Sequence, residues 1–186
     1  NGLEKGDRGK LIMACGTGKT FVRLRIAEKI AGRGKMVLYM VPSLALMSQT
    51  IREWKNDASE DFYAFSACSD KKVGKRKQTD DEILIGLNDL SLPATTNPSE
   101  LAEKIKNQKT DKMIVVFSTY QSIDVISSAQ YEHNLKEFDL IICDEAHRTT
   151  GATLKGDDES NFVKIHDNEN IKSKKRLYMT ATPRIF

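Results

Sequence analysis

Met13-Ala14-Cys15-Gly16-Thr17-Gly18-Lys19-Thr20 is the stretch on which the reading of this chain turns. It overlaps a short apolar run, Leu11-Ile12-Met13-Ala14, that predicts a strand. A helical pattern follows from Lys19 to about Ala31, with Gly32 and Gly34 as stop signals. Gly16 and Gly18 can take backbone angles closed to other residues, so the chain can turn sharply with its amides pointing inward. The amino end of the following helix adds positive potential. Strand, glycine turn and helix in that order form a cradle for an anion, built from Cys15, Gly16, Thr17, Gly18, Lys19 and Thr20. Lys19 is placed to reach the β and γ phosphates of a nucleotide, and the Thr20 hydroxyl to ligate magnesium. The general phosphate-loop pattern begins with glycine, and Met13 holds that place here.

A second motif carries the complementary chemistry. Leu140-Ile141-Ile142-Cys143 reads as a strand buried on both faces, and it runs straight into Asp144 and Glu145. A parallel sheet gathers its ligand site at the carboxyl ends of its strands. Asp144 and the cradle can therefore face one site if their strands are neighbours. Asp144 is then the magnesium-holding carboxylate, and Glu145 the general base that polarises the attacking water. His147 follows closely enough to couple this site to other parts of the molecule.

Outward from these motifs, short apolar runs alternate with helical stretches. Met36–Val41, Phe62–Phe65, Met113–Phe117 and Leu177–Met179 predict further strands, and Pro42-Ser43 opens a second helix. The alternation predicts an α/β fold with a mostly parallel central sheet and helices on both faces. Residues 68–98 break the rhythm with a basic cluster, Lys71, Lys72, Lys75, Arg76 and Lys77, and an extended loop from Pro93 to Pro98. The cluster reads either as a solvated loop or as a nucleic-acid contact. The stretch 149–173 is also polar and reads as irregular. Both look like insertions on a compact core.

Composition bounds the rest. The chain has 186 residues, suited to one domain with a real core, and a net charge of only +3. So small an excess does not by itself point to nucleic acid or membrane. No apolar run approaches the roughly 20 residues that span a bilayer, so no membrane partner is expected. Cys15, Cys68 and Cys143 are few, odd in number and far apart, which fits a reducing, cytoplasmic setting rather than a disulfide or zinc framework. The chain begins without methionine and stops soon after a motif, and it is read as part of a longer protein.

In these motifs and their order the chain resembles superfamily 2 helicases. Ala14-Cys15-Gly16-Thr17-Gly18-Lys19-Thr20 resembles their motif I, Asp144-Glu145-Ala146-His147 spells the DEAH form of motif II, and Thr180-Ala181-Thr182-Pro183 resembles motif III. Val41 to Thr50 is similar to motif Ia and Ser118 to Ser122 to motif Ib. A narrower resemblance, carried by Met13 to Thr20, Asp144 to Gly151, Tyr178 to Arg184 and the Pro93–Pro98 loop, is to the motors of type I and type ISP restriction enzymes. The resemblance implies a RecA-like domain, the first of two, that binds ATP and magnesium. It implies an arginine from the second domain, and nuclease and methyltransferase domains elsewhere. It implies that Thr180 and Thr182 couple the nucleotide site to that second domain. It implies that Pro42, Ser43, Gln49, Ser118, Thr119, Tyr120 and Gln121 meet the backbone of double-stranded DNA. No glutamine motif for adenine is recognisable in Asn1 to Lys10. Other readings are an RNA helicase or DNA-repair helicase motor, a P-loop enzyme outside nucleic-acid metabolism, and a non-catalytic nucleotide-binding module.

Overall fold

A computed structural model of the chain describes residues 3, 6–14, 16–68, 94–146 and 163–181. Its centre is β2 (Met36–Val41), β5 (Met113–Thr119) and β6 (Leu140–Cys143), every residue of which is buried. Such runs have no polar face because helices cover both sides of a parallel sheet. Around them lie β1 (Arg8–Ile12), β3 (Phe62–Ala67), β4 (Ala94–Thr95) and β7 (Arg176–Thr180). The order across the sheet is β1-β7-β6-β2-β5-β3-β4, and every pairing is parallel.

Side chains leave β2 alternately to the two faces, and each face has its own core. Val37, Tyr39 and Val41 meet α1 (Lys19–Ile30) and α2 (Leu44–Asp57) through Leu24, Ala27, Met47, Ile51 and Trp54. Met36, Leu38 and Met40 meet α3 (Pro98–Lys106) and α4 (Ile123–Tyr131) through Leu101, Ile105, Ile126 and Ala129. Parallel neighbours require crossover connections, and these four helices lie on those connections.

The elements differ from the sequence reading in four places, one of them the helix α4, for which the sequence reading has no element. β1 starts at Arg8 rather than Leu11, because it is an edge strand whose Arg8, Lys10 and Ile12 face outward and interrupt the apolar signal. The supposed loop Pro93–Pro98 contains the short strand β4 and then the start of α3. There Asn97 Oδ1 accepts hydrogen bonds from the Ser99 and Glu100 amides at 2.9 and 3.3 Å, and proline occupies the first turn. The described end of the polar stretch, 163–173, is mostly turns, yet it buries Ile165 and Ile171 in the core under β6 and β7. The basic cluster at 71–77 lies outside the described residues.

Candidate nucleotide site

The carboxyl ends of β1, β7, β6, β2 and β5 form one edge. Register fixes which residues meet there: Ile12 lies opposite Thr180, Cys143 opposite both Tyr178 and Met40, and Val41 opposite Thr119. The cradle and the acidic motif are not on neighbouring strands, since β7 stands between β1 and β6. The crossover solves this. To join β1 to β2 the chain must pass β7 and β6, and α1 makes that passage on one face. Its first two turns therefore reach the end of β6. Lys19 Nζ lies 3.6 Å from Glu145 Oε1, and Arg23 Nη1 lies 2.6 Å from Asp144 Oδ2.

The loop itself has the expected backbone. Gly16 and Gly18 both have φ of +77°, and a Cβ at either would meet nothing within 4 Å. Both glycines are thus required by conformation and not by crowding, and the space above them is open. Thr17 Oγ1 donates to the Ala14 carbonyl at 2.7 Å, tying the turn to the strand end. Gly18 caps α1 in the left-handed region, and its carbonyl accepts from the Val22 amide at 3.1 Å. Gly16, Thr17 and Gly18 are exposed, while Lys19 and Thr20 are half-buried. Cys15 lies outside the described residues.

Asp144 is 4% exposed. Its amide donates to the Met40 carbonyl at 2.9 Å, which continues the ladder to β2. Its Oδ1 accepts from the Glu145 amide at 2.8 Å, and its Oδ2 faces Arg23. Its carbonyl accepts from the Tyr120 hydroxyl at 2.8 Å. Glu145 has φ of +49°, a left-handed conformation unusual for a residue with a side chain. Burial pushes the Asp144 carboxyl above its ordinary range, and the Arg23 guanidinium is the strongest influence pulling it back down. For Arg23, burial lowers the pKa, but Tyr39 and Asp144 more than offset this and the net shift is upward.

Arg23 and Tyr39 are the residues that sequence reasoning missed, and Tyr120 is read there as a nucleic-acid contact and not as a partner of Asp144. A signal for Arg23 existed. It lies four residues after Lys19 and four before the buried Ala27, so it sits on the stripe of α1 that faces the sheet. A charge in such a stripe needs a partner, and Asp144 is that partner.

Thr180 is buried, and its carbonyl accepts from the Met13 amide at 3.2 Å, so the third motif touches the base of the cradle. Thr182 and His147 lie outside the described residues. The segments assigned to nucleic acid divide. Pro42, Ser118, Thr119 and Tyr120 are buried. Tyr120 spends its hydroxyl on Asp144, and the Thr119 and Ser122 hydroxyls lie 2.8 Å apart. Their side chains are part of the packing under the edge. Ser43 is half-buried and caps α2, its Oγ accepting from the Leu46 amide at 3.4 Å; Gln121 is also half-buried. Gln49 is exposed, with its amide nitrogen donating to Glu53 at 2.7 Å.

The sequence profile described as "Type III restriction enzyme, res subunit" matches residues 2–185. The chain belongs to this family. Within the type III res-subunit family and around it, several relatives share nearly its whole length. It is 43% identical to part of the "ATP-dependent Type ISP restriction-modification enzyme LlaBIII bound to DNA", with a TM-score of 0.85, covering 98% of this chain and 12% of that one. It is 41% identical to part of a nuclease-deletion mutant of the type ISP enzyme LlaGI, solved with a DNA substrate mimic, with a TM-score of 0.76, covering 99% of this chain and 16% of that one. A probable helicase of African swine fever virus is 34% identical over 182 residues, 98% of this chain and 18% of that protein. The Hef helicase domain of Pyrococcus furiosus, 20% identical with a TM-score of 0.57, shares the fold; the match covers 95% of this chain and 30% of that one. The chain thus spans less than a fifth of the length of its more similar relatives. Like the RecA-like domains among them, this res-family chain is a layered α/β unit with a parallel sheet. Among its described residues no helix is long and apolar enough to cross a membrane.

Proposed function

We propose that this chain is the ATP-binding first motor domain of a DNA helicase or translocase, working within a restriction-modification enzyme. One observation carries the reading. A glycine cradle with open space above it and two consecutive carboxylates are held at one sheet edge by successive turns of a single helix, Lys19 facing Glu145 and Arg23 facing Asp144. The cradle residues Gly16, Thr17 and Gly18, with Cys15, wrap the phosphates through their amides. Lys19 exchanges Glu145 for the terminal phosphates. Magnesium is commonly held by one or two carboxylates together with substrate phosphates; Asp144 would supply the carboxylate here and the Thr20 hydroxyl a further oxygen. When bound, the metal supplies charge neutralisation for phosphoryl transfer. Glu145 orients and deprotonates the attacking water, while His147, Thr180 and Thr182 couple the site to a second motor domain. That domain contributes an arginine to the transition state, which in related motors is worth about 10³-fold or more.

The nucleic acid runs along the same edge, over the exposed Gln49, the half-buried Ser43 and Gln121 and the amino end of α2. Contacts of that kind read phosphate and not sequence, so binding should be salt-sensitive and sequence-tolerant. The likeness to two restriction-modification enzymes at above 40% identity favours DNA. The likeness to a probable viral helicase supports strand separation as a second reading, to be decided by an unwinding assay on the intact protein. The primary test is calorimetric titration of ATP with magnesium into the wild type and Lys19→Ala. Affinity should fall by at least tenfold in the variant; equal affinity would remove the assignment.

A further inference from the structure

Asp144 offers a metal ion a carboxylate that is already paired with a buried cation. Arg23 is 4% exposed, and its Nη1 donates to Asp144 Oδ2 at 2.6 Å and to the Tyr39 hydroxyl at 2.5 Å. Its Nε is buried without a hydrogen-bond partner among the described residues. Tyr39 is itself fully buried, with its hydroxyl 3.5 Å from the same Asp144 oxygen. The guanidinium is therefore bound by two oxygens on one side and poorly satisfied on the other. Buried and held by both Asp144 and Tyr39, it lies beside any ion that Asp144 takes up.

We infer that Arg23 is a positioning residue that sets the magnesium requirement of the site by competing with the metal for Asp144. The inference rests on the nucleotide-site reading above. A fixed positive charge beside the metal in a low-dielectric setting weakens metal binding. The Tyr39 hydroxyl moderates the competition, since it takes part of the guanidinium's hydrogen bonding that would otherwise fall on Asp144. Two substitutions should then move the requirement in opposite directions. Arg23→Gln removes the charge and keeps hydrogen-bonding capacity, so the magnesium concentration for half-maximal nucleotide binding falls about threefold or more. Tyr39→Phe leaves Arg23 more dependent on Asp144, so the requirement rises about twofold. Arg23→Lys keeps the charge and stays within about twofold of wild type.

The experiment titrates magnesium into the intact protein with a fluorescent ATP analogue and follows binding, with thermal melting as the check on folding. Wild type comes first: if it binds no nucleotide, the reading of the site falls, and this inference with it. If wild type binds but the magnesium requirement of Arg23→Gln is unchanged or higher, only the inference is overturned. A merely structural role would weaken binding in Arg23→Gln and Tyr39→Phe alike, and that result also overturns it. Should Arg23→Gln fail to fold, the two conservative variants decide: a lower or unchanged requirement in Tyr39→Phe, or a large drop in Arg23→Lys, refutes the competition.

Discussion

The ion pairs Arg23–Asp144 and Arg33–Glu60 are nearly equal in length, at 2.6 and 2.7 Å, and they sit at opposite edges of the same sheet. At the carboxyl edge the partners' side chains are 5% and 6% exposed; at the amino edge they are 70% and 58% exposed. The amino edge carries further pairs, one with an exposed carboxylate and one with a largely buried one. Lys112 meets Asp61 just before β5 and β3, and Lys174 meets Asp139 just before β7 and β6. Distance is therefore a poor guide to what a pair does. Surrounding water screens the amino-edge pairs, and such pairs contribute little. The carboxyl-edge pair has lost its hydration, so each partner depends on the other.

The contrast can be tested one residue at a time, and the largest effect should be chemical. Glu145→Gln keeps the shape of the side chain and removes its charge. Nucleotide binding should persist while hydrolysis by the intact protein falls by about 10²–10⁴-fold, measured as steady-state turnover. Wild-type turnover would refute the general-base role. Next comes stability. Arg23→Ala leaves Asp144 buried and unpaired, and chemical denaturation should show a loss of about 3–5 kcal/mol. A loss below about 1 kcal/mol would mean that water reaches the pair, and the two edges would then be alike. The smallest effect belongs to Arg33→Ala. Its melting curve should overlay wild type, and a clear drop would show that the amino-edge pairs also hold the fold.

These two edges were not equally legible in sequence. The cradle and the acidic motif are local: each follows a strand directly, and glycines or carboxylates at fixed spacing announce the chemistry. Arg23 was hidden because its partner is 121 positions away and only the crossover of α1 brings them together. The same holds for Tyr120, which reads as a surface-motif residue until β5 places it beneath Asp144. Among the elements, α4 went unread because Ile123, Val125 and Ile126 are β-branched residues that suit strands as well as helices. α3 had a clear start signal in Asn97-Pro98, but it lay within a stretch that looked like an insertion. The apolar pattern shows only the end of β1, because an edge strand shows water one face and dilutes that pattern.

The position of β7 between β1 and β6 sets the bore of the site. Adjacent strands lie about 4.8 Å apart, so one intervening strand separates the cradle from the acidic motif by about 10 Å. Side chains close part of that gap: Lys19 Nζ lies 3.6 Å from Glu145 Oε1. β7 works as the fixed gauge of a calliper whose jaws are Gly16–Lys19 and Asp144–Glu145. Thr180, at the end of that gauge, is hydrogen-bonded to one jaw through Met13. The base of the cradle is thereby tied to the end of β7, the strand beside the acidic motif.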